Sequence, residues 1–335
     1  MPIFYRFDSE NDVVSNFKTT VSSGIFSGGV GSLTSFFTSS VQSGSTGAYY
    51  YDVYKTDPAS DSEAEIQFSL AYGHKEGSGS LGTKGAVGSR ASATIYRQMR
   101  NLLLAPNDDQ FTMAGSFDTD DIAVISFNRA RMREKVDPGN WELHLQGTSK
   151  IKLIDDSSAQ AASFGNGGRV FNVVSGSIDG GTTVIKTAAA SETRGGVGLF
   201  YPDLGIVVLR PSALKTKAGL AFSTGSNSMG NNSGVVFDSL TAGAYFQARR
   251  EENISSTHYF VRAGNKQFNF STNPTFFTAS DGSFVQPTYF KDPKTFITTV
   301  GMYNDNNELL AVAKLSKPLL KTFSREAIIK VKLDF

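Results

Sequence analysis

The sequence predicts a mainly β protein, built of antiparallel, sandwich-like sheets with one notable helix near residues 90–104. Three observations carry that expectation. Glycine (33 residues) and phenylalanine (26 residues) are both abundant in a chain of 335, which suits many short strands with aromatic faces and turns needing positive φ. Several segments alternate apolar and polar residues with the period of two that a half-buried strand requires. Only one window, around Ala91–Leu104, shows the three- and four-residue spacing of an amphipathic helix.

Three segments are expected: an extended N-terminal arm over residues 1–60, a β-rich core over 61–270, and a C-terminal hairpin-and-strand module over 271–335. The arm is rich in Ser, Thr and Gly, yet carries Phe26, Phe36 and Phe37. Large apolar groups are unfavourable in water, so the segment should order against something: an adjacent subunit if it is an arm, or its own domain if it is an internal loop-and-strand region. Deleting it should then leave a folded monomer that no longer assembles. Glu65–Tyr72 follows as a strand with Ile66, Phe68, Leu70 and Tyr72 on one face. The helix, capped by Ser89 or Ser92, should bury Ile95, Met99, Leu102 and Leu103 and stop at Ala105-Pro106.

Everything downstream reads as strands and turns. Asp121–Asn128 and Trp141–Leu145 are strands, joined through Lys135-Val-Asp-Pro-Gly-Asn140 as a turn. Lys150–Ile154, Arg169–Val174, Thr183–Lys186 and Gly205–Leu209 continue the pattern. Thr295–Thr299 and Glu308–Leu315 flank Tyr303-Asn-Asp-Asn-Asn307 as a hairpin. The last segment should place Ile329, Val331, Leu333 and Phe335 inward, with its final residue docked.

Composition narrows function. Lys and Arg total 32 against 31 acids, a net charge of +1, without the basic excess of a duplex-DNA binder. No cysteine is present, which removes disulfides and thiolate metal sites and agrees with assembly in a reducing cytoplasm. No signal peptide and no membrane-spanning run is read from the sequence. Gly77-Ser-Gly-Ser-Leu-Gly82 matches the dinucleotide fingerprint in form, but the helix starts too late and no βαβ alternation follows. His74, His144 and His258 lack metal-ligand spacing. The acids at 118, 120 and 121 and the loop Asn304–Glu308 lack a calcium-loop pattern. No nucleophile elbow appears. No catalytic, cofactor-binding or metal-binding residue is therefore assigned, and the chain is read as not an enzyme, with no cofactor. The local basic cluster Arg129, Arg131 and Arg133 reads as a charged strand edge. Together with Phe26, Phe36 and Phe37 it forms the candidate interface set.

Several stretches resemble a known family. They are Ala71-Tyr-Gly-His-Lys-Glu-Gly-Ser-Gly-Ser80, Ala93–Leu104, Asp137-Pro-Gly-Asn-Trp-Glu-Leu-His-Leu145, Gly198–Leu209 and Thr299–Pro318. They are similar to virion structural proteins of large contractile-tailed phages, especially those of marine cyanobacteria, and they run from about residue 65 to the C-terminus. The resemblance implies a non-enzymatic tail or baseplate subunit in the virion, present in multiple copies. Its partners would be other virion proteins, with neither nucleic acid nor membrane. The alternatives are a capsid or neck decoration protein, a receptor-binding protein, or a virion-associated hydrolase.

Overall fold

The computed structural model describes residues 5–39, 50–77, 91–192, 196–222, 229–271, 273–278 and 280–335. Strands make up 48% and helices 17%, with a large antiparallel sheet. The Gly77–Gly82 motif beyond residue 77, and the cap position Ser89, lie outside the described residues. The chain divides into two compact units that differ from the three segments expected: Val21–Glu252, and Met1–Thr20 together with Asn253–Phe335.

The larger unit is a sheet in which each strand pairs antiparallel with the next. Its spatial order begins at Phe246 and passes through Lys135–Gln146, Lys150–Asp155, Gly168–Asp179, Gly198–Tyr201 and Ile206–Leu209. It then continues through Asp121–Phe127, Ile66–His74, Tyr50–Tyr54 and Phe37–Thr38. The sheet curls, because Phe246 on the first of these strands meets Phe68 on the eighth, ring centroids 5.1 Å apart. Phe26, Phe36 and Phe127 complete this aromatic centre. Aromatic pairs in such tilted and edge-on geometries add to simple area burial.

The middle strands are covered on both faces, so they read as continuous apolar runs. Ala123, Ile125 and Phe127 join the main core while Ile122 and Val124 face a second cluster. That second cluster packs under helix α1 (Ala91–Leu103). The buried side of α1 is Ser92, Ala93, Tyr96 and Leu103, whereas Leu102 is exposed, one position round from the expected stripe. Tyr96 decides the rotation. Its hydroxyl donates to the Thr119 carbonyl at 2.8 Å and accepts from the Phe111 N–H at 3.2 Å, and α1 approaches so closely that a Cβ at Gly73 would lie 2.8 Å from the Tyr96 nitrogen.

Among the described residues, three α-helical segments lie where only strands and turns were expected: α2 (Arg129–Met132), α3 (Pro211–Ala218) and α4 (Met229–Gly243). Helix α4 carries no clear apolar stripe because its buried face mixes polar and small residues with apolar ones. Asn232, Ser233, Val236, Ser239 and Leu240 are all buried, and a Cβ at Gly243 would lie 2.2 Å from the His144 carbonyl oxygen. Asp238, Thr241 and Ala242 face outward, but a buried face built partly of Asn, Ser and Gly leaves no apolar period to read.

The expected turn at Lys135–Asn140 is instead a bulge inside one strand. Trp141 pairs with Ala248 and Val136 with Arg250, so residues 137–140 loop out between them. Gly139 sits at φ +79°, where a side chain would be strained.

In the smaller unit, Ala327–Asp334 pairs antiparallel with residues 256–263. Lys294–Tyr303 and Leu309–Thr322 form the expected hairpin as a separate two-stranded sheet. Val300, Met302 and Val331 form a thin core with Tyr259, Val261, Ile329 and Leu333 around it. Phe335 departs from its expected inward placement. Its backbone is paired with Ser255, but its side chain is exposed. A second aromatic cluster gathers Phe270, Phe276, Phe277, Phe284 and Tyr289.

Candidate assembly surface

The six interface candidates separate into three groups. Phe26 and Phe36 are buried in the main core of their own unit, so neither is available to a neighbour. Their segment ordered against this chain's own sheet, which supplies the apolar partners that the sequence left unassigned. Phe37 lies on a short edge strand opposite Tyr54 and is partly exposed. The arginines surround α2, whose N-terminus is capped by the Asn128 side chain accepting from the Ala130 N–H at 3.0 Å. Arg131 makes a two-pronged pair with Glu65, at 2.9 and 3.1 Å. Arg133 meets Glu252 at 3.2 Å, and Arg250 meets the same carboxylate at 2.8 Å. Lys135 pairs with Glu251 at 3.0 Å. The basic cluster is thus largely matched within the chain by acids distant in sequence, while Arg129 is exposed.

A different surface stands out. Among the described residues, fourteen of the twenty-one exposed large apolar side chains belong to the smaller unit, which holds less than a third of the chain. The hairpin strand Leu309–Thr322 shows how this arises. Leu310 is 68% exposed and Val312 58%, while Ala311 and Ala313 between them turn inward onto Val300 and Met302. Across from it, Phe296 is 64% exposed. Over Leu310–Ala313 the large residues face water and the small ones turn inward, while across from them Val300 and Met302 are buried. A contiguous exposed apolar patch of more than a few hundred Å² marks a contact surface. The adjacent pair Leu309-Leu310 carries a signal readable from sequence: neighbouring strand residues point to opposite faces, so one of them had to lie outside.

Chemistry-bearing groups are present in the larger unit but are occupied structurally. His144 Nε2 lies 2.5 Å from Glu142 Oε1, the other Glu142 oxygen accepts from the Ile178 N–H at 2.6 Å, and Lys152 approaches at 3.6 Å. Asp155 accepts from the Gly139 and Ser157 N–H groups at 2.8 and 2.9 Å. Asp156 accepts from the backbone and side chain of Asn172. Glu192 pairs with Lys217 and accepts from the Ser175 N–H. Among the described residues no three His, Asp or Glu gather as a metal set. An open groove of about 700 Å³ runs past Leu103, Leu104, Phe164, Asn166 and Tyr201, with Asp108 its only carboxylate.

His144 predicts a pH response. Burial pushes its pKa below the ordinary value of 6.5, with the hydrogen bond to Glu142 pulling the other way. A base whose folded pKa is depressed contributes full stability above its unfolded value, and loses it as pH falls from there through the folded value. The melting temperature should therefore drop between pH 7 and pH 5, and His144→Gln should drop less. Carboxylates with lowered pKa, such as Asp203 and Asp334, act below this window. His258 shifts in the same direction, so the difference between the two proteins isolates His144. Parallel pH-dependent melts of wild type and variant would refute the assignment.

Comparison of the chain with protein-family models, with curated proteins and with solved structures gives no match in any of the three.

Proposed function

We propose that this chain is a non-enzymatic structural subunit of a virus particle, a component of a contractile phage tail or its baseplate that works through contacts with neighbouring subunits. The observation that carries the assembly part of this reading is the exposed apolar hairpin surface, with Leu310, Val312 and Phe296 outside while Ala311 and Ala313 turn inward. Exposing such a surface throughout the protein's life is unfavourable, and covering it in an assembly recovers the hydrophobic free energy. Permanent assemblies commonly bury more than ~2,000 Å² per interface, with an apolar centre. The placement in a phage tail rests on the resemblance of residues 65–335 to virion proteins. The ionisable groups of the larger unit support a structural role, since Glu142, Asp155, Asp156 and Glu192 are each engaged by backbone or side-chain partners.

Cryo-electron microscopy of the intact particle, with this chain traced in the map, tests the reading. Density in tail or baseplate with the Leu310–Val312 face against a neighbour is the expected result. Density on the capsid or neck would keep the structural class and move the position. Absence of the chain from purified particles would overturn the proposal.

A further inference from the structure

The distal half of the C-terminal hairpin, residues 299–303 with 309–314, gathers its exposed apolar side chains on one face. Strand pairing sets Tyr303 opposite Leu309, Gly301 opposite Val312 and Thr299 opposite Lys314. Opposed residues of an antiparallel pair lie on the same face, and all six are exposed. Gly301 makes that face low and continuous. A Cβ there would lie 3.0 Å from Tyr303 Cε2 and 3.4 Å from Leu309 Cδ1, so both side chains lean over its bare backbone. Leu310 is the extra residue between the Met302–Ala311 and Tyr303–Leu309 pairs, and this bulge leaves it 68% exposed.

Charge is divided along the same hairpin. The turn carries Asp305 and Glu308, and the other end of the apolar face carries Lys314. Glu308 is held in place: the Asn304 side chain accepts its N–H at 2.8 Å and donates to its carboxylate at 2.6 Å. Asp305 is approached by Arg6 at 3.7 Å, with both side chains almost fully exposed.

We infer that this face packs on the same face of a second copy of the chain, the two hairpins stacked antiparallel about a two-fold axis at the level of Ala311. Such an axis opposes residues equally spaced on either side of it. Leu310 of one copy then lies over Val312 of the other, and Glu308 over Lys314. Stacked sheets sit about 10 Å apart, which lets the apolar side chains interdigitate. The contact is isologous, so the Glu308–Lys314 meeting occurs twice. Parallel stacking would instead set Lys314 on Lys314 and acidic turn on acidic turn, and like charges so placed weaken association.

The exposed parts of Tyr303, Leu309, Leu310 and Val312, with the turn and Lys314, amount to on the order of 500 Å² per copy, or about 1,000 Å² in total. That is near the lower bound for a specific interface. It corresponds to a micromolar dimer, which repetition within an assembly strengthens. The inference rests on the assembly reading for its biological sense and names the partner for its exposed surface. Its test uses the purified chain, so a failure here is separate from absence in the particle.

The experiment is sedimentation of the full-length protein from about one to about one hundred micromolar. The wild type should pass from monomer to dimer within this range. Val312→Asp, at an exposed position, should lose the dimer. Glu308→Lys and Lys314→Glu should each weaken self-association at least about tenfold, and the chain carrying both should regain it to within about threefold. Circular dichroism verifies that each variant is folded. Phe164→Ser, at an exposed site of the larger unit, should leave the dimer unchanged. A wild type that stays monomeric, a Val312→Asp protein that dimerises like the wild type, or a double variant no tighter than the single ones would overturn the inference.

Discussion

A chain lacking residues 1–60 should fail to fold its larger unit, rather than survive as the assembly-defective monomer that the sequence suggested. The segment supplies Ile25, Phe26, Leu33, Phe36 and Val53 to the main core. Leu33 also pairs across from Phe246, and Tyr50–Tyr54 covers the edge of Ile66–His74. Truncating one buried phenylalanine costs about 3–5 kcal/mol, so losing five core side chains exceeds the ~5–15 kcal/mol that holds a typical domain together. A point version isolates the cause. Phe26→Ala, at the meeting of Phe68, Phe127 and Phe246, should lower stability by about 3–5 kcal/mol in urea titration. Native near-ultraviolet circular dichroism and a cooperative transition in the truncated protein would show that the segment is dispensable after all.

Asp155→Ala should destabilise the larger unit by about 3 kcal/mol, since the Gly139 and Ser157 N–H groups would lose their acceptor in a fully buried place, each at about 1–3 kcal/mol. The carboxylate fastens the 137–140 bulge to the neighbouring strand, and thereby sets where Trp141 enters the core. Burial raises the Asp155 pKa above its ordinary 3.8, with the Ser157 and Gly139 hydrogen bonds opposing. For an acid shifted upward, the ionised group carries a cost at neutral pH, which is relieved as pH falls through the folded value. Asp155→Asn keeps one acceptor without the charge and should fall between wild type and alanine. Thermal or urea unfolding of the three proteins reads the order directly; an alanine variant as stable as the wild type would remove the fastening role.

These two residues show where sequence reading reached and where it stopped. Local alternation was enough to place Ile66–His74, Lys150–Asp155, the C-terminal hairpin and Ala327–Asp334, because the period of two follows from strand geometry alone, while a short apolar run marked Ile206–Leu209. The same reasoning took Asp137-Pro-Gly-Asn140 for a turn. Its residues suit a bulge equally well, and only the Gly139–Asp155 contact across sixteen positions selects between them. Helix α4 escaped for a different reason: its buried face carries Asn232, Ser233 and Ser239 beside Val236 and Leu240, so no apolar stripe marks it.

The candidate surface was less legible than the fold. Phe26 and Phe36 were correctly read as unable to remain in water, but sequence could not say whether this chain or another would cover them. Arg131 and Arg133 were read as an outward edge, and their acids, Glu65 and Glu252, lie 66 and 119 positions away. The alternation Leu310-Ala311-Val312-Ala313 was visible throughout, although which face was the core was not.

The amino-acid sequence by itself determined that this is a β protein with aromatic cores, because strand periodicity, turn glycines and apolar content are local and additive properties of the chain. The tertiary structure alone decided which apolar residues are buried internally and which are left exposed. Burial is a property of the space around a side chain, and residues far apart in the sequence supply that space.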